Sequence, residues 1–170
     1  MSESAKTHQG YSMADVSGKE ITRRLALASG RITIGKKAFD LLRDKSLPKG
    51  DALALAEFAG IQGAKQTPSL IPLCHPISLN RVAIHSILKP SQAAVDVYAV
   101  AEIDAKTGVE MEALCGLNIA LLTIWDLTKP INAALEISDI RLQYKSGGKH
   151  GDWTHPDGLS ATAQSILEAY

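Results

Sequence analysis

The chain has few cysteines, few aromatic residues and no excess of charge. Of its 170 residues only two are cysteine, and phenylalanine, tryptophan and tyrosine together make up 5%. Two cysteines are too few for a disulfide framework. The 18 basic residues are balanced by 18 acidic ones, whereas a general nucleic-acid surface usually shows a basic excess and stacking aromatics. Composition therefore disfavours a disulfide scaffold and a general nucleic-acid binder.

Long apolar runs are also missing. The longest one, residues 113–127, is broken by Gly116, Asn118, Thr123 and Asp126, so we expect it to be too short and too polar to span a bilayer. No charged stretch followed by an apolar one opens the sequence, and we expect no secretory signal. With 45% hydrophobic residues and a length that suits one core, the chain is predicted to be a single cytoplasmic domain without a membrane partner.

Hydrophobic periodicity predicts a mixed order of strands and helices. We expect a disordered tail at 1–12, one domain at 13–150, and a C-terminal tail at 151–170 with a short, loosely docked helix. The predicted elements are a strand at 23–34, helices at 35–47 and 52–64, strands at 81–88 and 94–104, a helix from 110 or 112 to 128, and a strand at 139–145. This order predicts an α+β, ferredoxin-like antiparallel sheet with helices packed on one face. Apolar residues on both sides of some strands predict that a partner subunit covers the other face.

The stretch from Ile71 to Pro76 (IPLCHP) is the most informative short segment. Its two prolines fix their own φ and push each preceding residue out of the helical region, so we expect an extended, stiff backbone. Histidine is the side chain that titrates nearest neutral pH, which makes His75 a candidate proton carrier. For the segment alone, a histidine that bridges backbone groups is the more economical interpretation.

Two polar clusters lie near the ends of predicted helices, where functional sites often occur. Lys49 precedes the predicted helix cap Asp51 and could meet a phosphate at a helix N-terminus, or be a solvated turn residue. Glu110 and Glu112 point the same way in an extended chain but diverge by about 200° in a helix. Acidic residues in a first helical turn also complement the helix dipole without any chemistry.

Two more clusters follow along the chain. Asp126 and Lys129 are three residues apart and can pair on one helix face, either as an ordinary ion pair or to tune a proton donor or acceptor. Lys145 and Lys149 flank two glycines that could wrap backbone N–H groups around phosphate oxygens or form only a flexible turn; the residue order of a P-loop is absent. Together the clusters predict a cationic pocket for a polyanionic ligand, with His, Asp and Glu for proton transfer. The remaining basic residues of that pocket are Arg24 and Lys65.

Five motifs make a family resemblance specific. The sequence contains, in order, MADVSGKEITRR, KGDALALAEFAGIQGAKQTPSLIPLCHPI, KTGVEMEAL, WDLTKP and KSGGKHG. Over residues 13–151 it thereby resembles the MoaC family, the cyclic pyranopterin monophosphate synthases of molybdenum cofactor biosynthesis.

The resemblance implies a lyase that acts on a cyclised dihydro-GTP, (8S)-3',8-cyclo-7,8-dihydroguanosine 5'-triphosphate, made upstream by a radical enzyme. The products would be cyclic pyranopterin monophosphate and diphosphate. The resemblance also implies a ferredoxin-like fold and a homohexamer, a trimer of dimers with sites at subunit interfaces. No protein metal site and no resident cofactor are predicted, and Mg²⁺ accompanying the triphosphate is left open.

The resemblance further assigns roles to residues. Asp126, Lys49 and Lys129 match the catalytic positions. The substrate-binding positions are Leu73, Cys74, His75, Glu110, Met111 and Glu112, with Arg24, Lys65, Lys145 and Lys149 for the triphosphate. Crowding among lysines 49, 129 and 145 would favour proton loss from one of them, and cations would stabilise the departing diphosphate. We expect Cys74 to act through packing or backbone contact rather than as a nucleophile.

Two other functions compete with this interpretation. A metal hydrolase could draw ligands from the Cys74–His75 pair, His150 and His155, but adjacent ligands chelate poorly and no CxxC or HExxH spacing is present. A non-catalytic nucleotide-binding paralogue is the stronger alternative, and the presence of the three catalytic residues disfavours it. Departures from the family pattern are Ala14, Gly63, Trp125, Pro130 and His150. Of these, Pro130 bears on the geometry of the preceding Lys129.

Overall fold

The fold is known from a computed structural model, which describes residues 10–149 and 151–170. In chain order the elements are β1 (Thr22–Thr33), α1 (Lys36–Arg43), α2 (Ala52–Lys65), α3 (Thr67–Leu70), β2 (Arg81–Lys89), β3 (Ala94–Ala105), α4 (Glu110–Thr128), β4 (Glu136–Ser146), β5 (Trp153–Thr154) and α5 (Ala161–Leu167). Most of the predicted tail at 1–12, and His150, lie outside the described residues. The predicted domain boundaries at 13 and 150 stay a prediction.

The strands form one antiparallel sheet in the order β2-β3-β1-β4-β5. β1 lies at the centre, paired with β3 in a continuous register that includes Ala28 opposite Ala99, and with β4 in a register that is broken by two irregularities. The first four strands, with α2 between β1 and β2 and α4 between β3 and β4, have the strand order of a ferredoxin-like fold. The predicted α+β class, an antiparallel sheet with helices packed on it, is therefore confirmed.

The main core lies between one face of the sheet and the helices α2 and α4. Alternate residues of β3 point to that face, as the period of two requires, and are fully or almost fully buried: Val95, Val97, Ala99, Ala101 and Ile103. From α4, Leu117, Leu121 and Ile124 pack against them with no exposed surface. α2 begins at Asp51, whose carboxylate accepts from the backbone N–H groups of Leu53 and Ala54, as predicted for an N-cap.

Glycines bring α2 and α4 unusually close together. A Cβ atom added to Gly116 would lie 2.9 Å from the carbonyl oxygen of Gly60, and one added to Gly60 would lie 2.9 Å from the carbonyl oxygen of Gly116. Neither helix can give way locally, because the obstacle is backbone rather than a flexible side chain. The two helices therefore cross at a point where no side chain fits.

Replacing Gly116 with alanine is expected to lower the free energy of unfolding by about 1–2 kcal/mol. Alanine gains about 1 kcal/mol of helix propensity over glycine. The clash with Gly60 must therefore cost more than that gain for the free energy of unfolding to fall. Urea unfolding followed by circular dichroism measures the difference. Gly10→Ala is the matched control, because a Cβ there meets nothing within 4 Å. An unchanged or increased stability of Gly116→Ala would contradict the close crossing.

The second face of the sheet is covered in part by the C-terminal end of the chain. Leu25, Leu27, Tyr98 and Val100 form a second apolar cluster with the fully buried Ala163 of α5. The terminal Tyr170 lies under the guanidinium of Arg81, 4.0 Å from the ring centroid, and its hydroxyl is 3.1 Å from Nε2 of His85. The helix is therefore docked firmly rather than loosely. Part of the cover that we assigned to a partner subunit comes from the chain itself.

One described helix, α4, is long and apolar enough to cross a membrane by length and composition alone. Half of its most apolar stretch is buried inside the protein, and its buried side chains belong to the main core. α4 is thus a helix of the protein core whose length and apolar composition also happen to suit a membrane span.

Candidate active site

The first cavity, of about 360 Å³, lies at the N-terminal end of α4. It joins the Cys-His segment to the β3–α4 loop and to the segment before β1. Its lining residues are Ala14, Leu73, Cys74, His75, Ile77, Thr107, Gly108, Glu110, Met111 and Glu112. All six positions predicted to bind the substrate outside the cationic pocket therefore border one cavity.

The Cys-His segment is a turn rather than the extended stretch expected from its prolines. The N–H of Cys74 donates to the carbonyl of Ile71 over 3.0 Å, and Pro72 occupies the second position, where a φ near −65° suits the turn. The prolines still restrict the backbone, so the segment remains a stiff cavity wall. Burial raises the pKa of the Cys74 thiol, with Glu112 and Cys115 adding to the effect, which disfavours a thiolate nucleophile.

His75 is fixed in orientation by the backbone before β1. Its Nε2 lies 2.8 Å from the carbonyl oxygen of Ala14. A carbonyl only accepts, so Nε2 carries the proton and donates. When the ring is neutral, Nδ1 is therefore the acceptor nitrogen, and it can accept a hydrogen bond from a bound molecule.

Glu110 and Glu112 have pKa values shifted in opposite directions. Both belong to the first turn of α4, so the helical alternative holds. Burial acts to raise the pKa of Glu110, but a 2.8 Å hydrogen bond from Nζ of Lys145 and the nearby Arg24 outweigh it and lower that pKa below its ordinary value. Glu112 is only 3% exposed, and burial raises its pKa, with Glu110 adding repulsion. The surroundings thus favour the charged form of Glu110 and disfavour the charged form of Glu112, a division of environments that suits acid and base roles.

Replacing Lys145 with methionine is expected to raise the pKa of Glu110, because burial is then opposed only by the backbone hydrogen bond of Glu110 and by Arg24. A carboxyl ¹³C chemical-shift titration measures this shift. Lys145→Arg keeps the charge and should leave the Glu110 titration close to that of the wild type. A Glu110 titration unchanged in the methionine variant would show that Lys145 does not control it.

Two further cavities share lining residues with each other, and basic side chains line both of them. A cavity of about 620 Å³ is lined by Gly18, Lys19, Glu20, Thr22, Arg24, Gly148 and Lys149. A smaller one, of about 90 Å³, is lined by Arg24, Lys145 and Lys149 among others, and it shares Gly108 and Glu110 with the first cavity. Gly147 and Gly148 adopt positive φ, and a Cβ on Gly148 would lie 1.9 Å from the Arg24 guanidinium. The two glycines thus let the β4–β5 loop lie directly on Arg24.

Arg24 also has a buried hydrogen-bond donor without a partner: its Nε makes no hydrogen bond among the described residues.

Three of the four basic residues predicted to hold a triphosphate, Arg24, Lys145 and Lys149, meet beside the first cavity. Lys65 does not join them: it is exposed at the end of α2 and lines neither cation cavity.

The three predicted catalytic residues form a second cluster at the C-terminal end of α4. Nζ of Lys49 lies 2.8 Å from one carboxylate oxygen of Asp126, and Nζ of Lys129 lies 2.7 Å from the other. Hydrogen bonds from Lys129 and then Lys49 lower the pKa of Asp126 to about 2, so the carboxylate is ionised at neutral pH. Lys129 keeps helical backbone angles, so the following Pro130 does not displace it.

The two clusters do not meet within one chain. Glu110 and Asp126 are at opposite ends of α4, about 24 Å apart along the axis at 1.5 Å per residue. Lys145 bonds to Glu110 at the far end, so the expected crowding of Lys145 with Lys49 and Lys129 is absent in a single chain. The three-residue cluster contains instead two lysines bridged by one carboxylate.

Several lining residues were not predicted from the sequence to belong to the site. Ala14 and Lys19 lie in MADVSGK, and Thr107 and Gly108 lie in KTGVEMEAL. These motifs belong to the family resemblance, which is the feature of the sequence that could have indicated these residues. Within 10–149 and 151–170, no three or more His, Cys, Asp or Glu side chains are grouped to hold a metal ion; of the proposed ligands, His150 lies outside these ranges.

Comparison with known proteins identifies the family of the chain. The model of the MoaC family matches residues 13–148. The chain is 49% identical over 142 residues to a cyclic pyranopterin monophosphate synthase of Streptomyces coelicolor, covering 84% of this chain and 82% of the relative. It is 48% identical over 141 residues to the synthase of Helicobacter pylori, covering 83% of this chain and 89% of the relative. A mitochondrial synthase of Arabidopsis thaliana is 45% identical over 87% of this chain and 56% of its own length. The chain belongs to the MoaC family.

Proposed function

We propose that this chain is a lyase that converts (8S)-3',8-cyclo-7,8-dihydroguanosine 5'-triphosphate into cyclic pyranopterin monophosphate and diphosphate. The observation that carries the proposal is the adjoining pair of environments at the start of α4. One is a cavity with a histidine and two carboxyl groups of opposite pKa shift, and the other is a cationic region. Relatives that match most of this chain are named cyclic pyranopterin monophosphate synthase.

The cationic region suits the triphosphate. Arg24, Lys145 and Lys149 meet there with Lys19, and clustered cations stabilise charge that develops on a departing diphosphate. Arginine can donate two parallel hydrogen bonds to a phosphate, and Nε of Arg24, which has no partner among the described residues, is one such donor. Lys65 would join this set only by approaching another copy of the chain. Mg²⁺ would enter with the triphosphate, and its requirement stays open to test.

The first cavity suits the purine-derived ring. Opening one ring and closing another requires several proton transfers, for which groups of shifted pKa are suited. We assign the neutral form of Glu112 a hydrogen-bonding or proton-donating role and ionised Glu110 the task of orienting Lys145. Leu73, Cys74 and Met111 supply the apolar wall and backbone contacts around His75.

We propose that a second copy of the chain completes the site. Asp126, Lys49 and Lys129 lie about 24 Å along α4 from the cavity that would hold the substrate, so in one chain they cannot reach the same small molecule. A partner whose α4 ends beside this cavity would supply them. A homohexamer built as a trimer of dimers, with sites at interfaces, satisfies that requirement.

The cytoplasmic location of the protein also stays a prediction.

The test is a coupled assay that contains GTP and the upstream radical enzyme, with and without this protein. Cyclic pyranopterin monophosphate and diphosphate should form only when this protein is present. Tight binding of the cyclised nucleotide without diphosphate release would instead support the non-catalytic paralogue.

A further inference from the structure

Residues 13–20, here called the N-terminal strap, border two of the cavities at once. Ala14 lines the first cavity, and Gly18, Lys19 and Glu20 line the large cationic one. The strap then leads directly into β1, which carries Arg24. Its position therefore affects both the ring-binding and the anion-binding parts of the site.

Few interactions hold the strap in place. Nearly all its side chains are exposed, with Val16 the one intermediate case, so apolar burial stabilises it little. Its internal hydrogen bonds join Asp15 to Ser17 and Lys19 to Val16. Among the described residues, two side chains tie it to the rest of the protein: His75 donates to the carbonyl of Ala14, and Lys106 donates to the carbonyl of Ser17 over 2.8 Å.

Lys106 is well placed to control this segment. It follows β3 and directly precedes Thr107 and Gly108, which line the first cavity. A hydrogen bond from an ammonium group is stronger than one between neutral groups. A segment with few buried contacts opens locally at small free-energy cost, so loss of one such bond should change its position or mobility.

We propose that Lys106 is a positioning residue for the reaction, which acts by holding Ser17 and thereby fixing Lys19 at the edge of the cationic cavity. Lys106 need not touch the substrate. The inference rests on the proposed function, because the anion placed by Lys19 is the triphosphate of that substrate. It assigns the strap a role in binding the triphosphate end rather than in the ring chemistry.

The kinetic test compares Lys106→Met with Lys106→Arg. The methionine variant keeps the apolar stem but loses the donor, and we expect its KM to rise about tenfold while kcat stays within about twofold, the pattern of lost uniform binding. The arginine variant should restore most of the affinity. Lys37→Met, on the outer face of α1, is the control and should behave like the wild type. An unchanged KM in Lys106→Met, or a loss confined to kcat, overturns the proposal.

A second measurement does not depend on turnover. Tryptic cleavage after Lys19, followed by mass spectrometry, should be several-fold faster in Lys106→Met than in the wild type or Lys37→Met. An equal cleavage rate overturns the anchoring role even if the enzyme is active. Conversely, faster cleavage in Lys106→Met together with a wild type that forms no product would refute the proposed function and leave the anchor standing.

Discussion

Replacing Asp126 with asparagine is expected to lower the rate of cyclic pyranopterin monophosphate formation by about 10²–10⁴-fold, the range typical of lost acid–base catalysis. The carboxylate bridges Lys49 and Lys129 at 2.8 and 2.7 Å, so it fixes both ammonium groups and balances their charge. An asparagine side chain has the same shape but only one acceptor and no charge. Both lysines therefore lose their common partner in a single change.

The rate is measured with saturating cyclised dihydro-GTP, and Lys49→Ala and Lys129→Ala should each show a comparable loss. Asp40→Asn is the matched control, because Asp40 pairs with Lys36 within α1 and belongs to neither cluster. Since Asp126 is half exposed, we expect its replacement to leave the unfolding transition nearly unchanged. Near-normal turnover in all three cluster variants would remove these residues from the mechanism.

Mixing two impaired variants is expected to restore activity. Asp126→Asn is defective at one end of α4 and Glu110→Gln at the other, and a site formed between two copies needs one intact end from each. With equal amounts and random assembly, about a quarter of the interfacial sites in a hexamer combine two intact ends. Co-expressed variants with different tags, purified through both tags in turn, should therefore recover about a quarter of wild-type activity.

The double variant Asp126→Asn/Glu110→Gln, co-expressed with itself, is the matched control and should remain inactive. Activity in the mixed oligomer no greater than the mean of the two single variants would mean that both clusters act within one chain. That result would require α4 to bend or the substrate to move over about 24 Å, and would refute the interfacial site.

The sequence predicted the strands and helices well where the periodicity was uninterrupted. β2 and β3 alternate cleanly, and their observed bounds differ from the predicted ones by one residue. β4 starts three residues earlier than predicted, at Glu136, because Asp139 has a φ of 55° beside a register shift that interrupts the alternation. β5, with two residues, is too short to produce a periodic pattern.

Residue types at the candidate site were predictable, but their grouping was not. The pairing of Asp126 with Lys129 follows from a three-residue spacing on one helix, and the structure contains it. The association of Arg24 with Gly148 joins residues more than 120 positions apart through the β1–β4 pairing, which local patterns do not encode. The Pro-rich segment was expected to be extended because prolines disfavour helix, yet the same φ also suits a turn.

α2 and α4 contact each other through backbone at Gly60 and Gly116. A change at this contact can therefore rotate one helix relative to the other. Asp126 lies near the end of α4, about 15 Å from Gly116 at 1.5 Å per residue, and Lys49 lies just before the start of α2. A rotation of about 5° at this contact would displace Asp126 by about 1.3 Å at that radius, and a misplacement of about 1 Å can cost about 100-fold in rate. We therefore expect substitutions at Gly60 and Gly116 to disturb the distance between Lys49 and Asp126 as well as the stability of the fold.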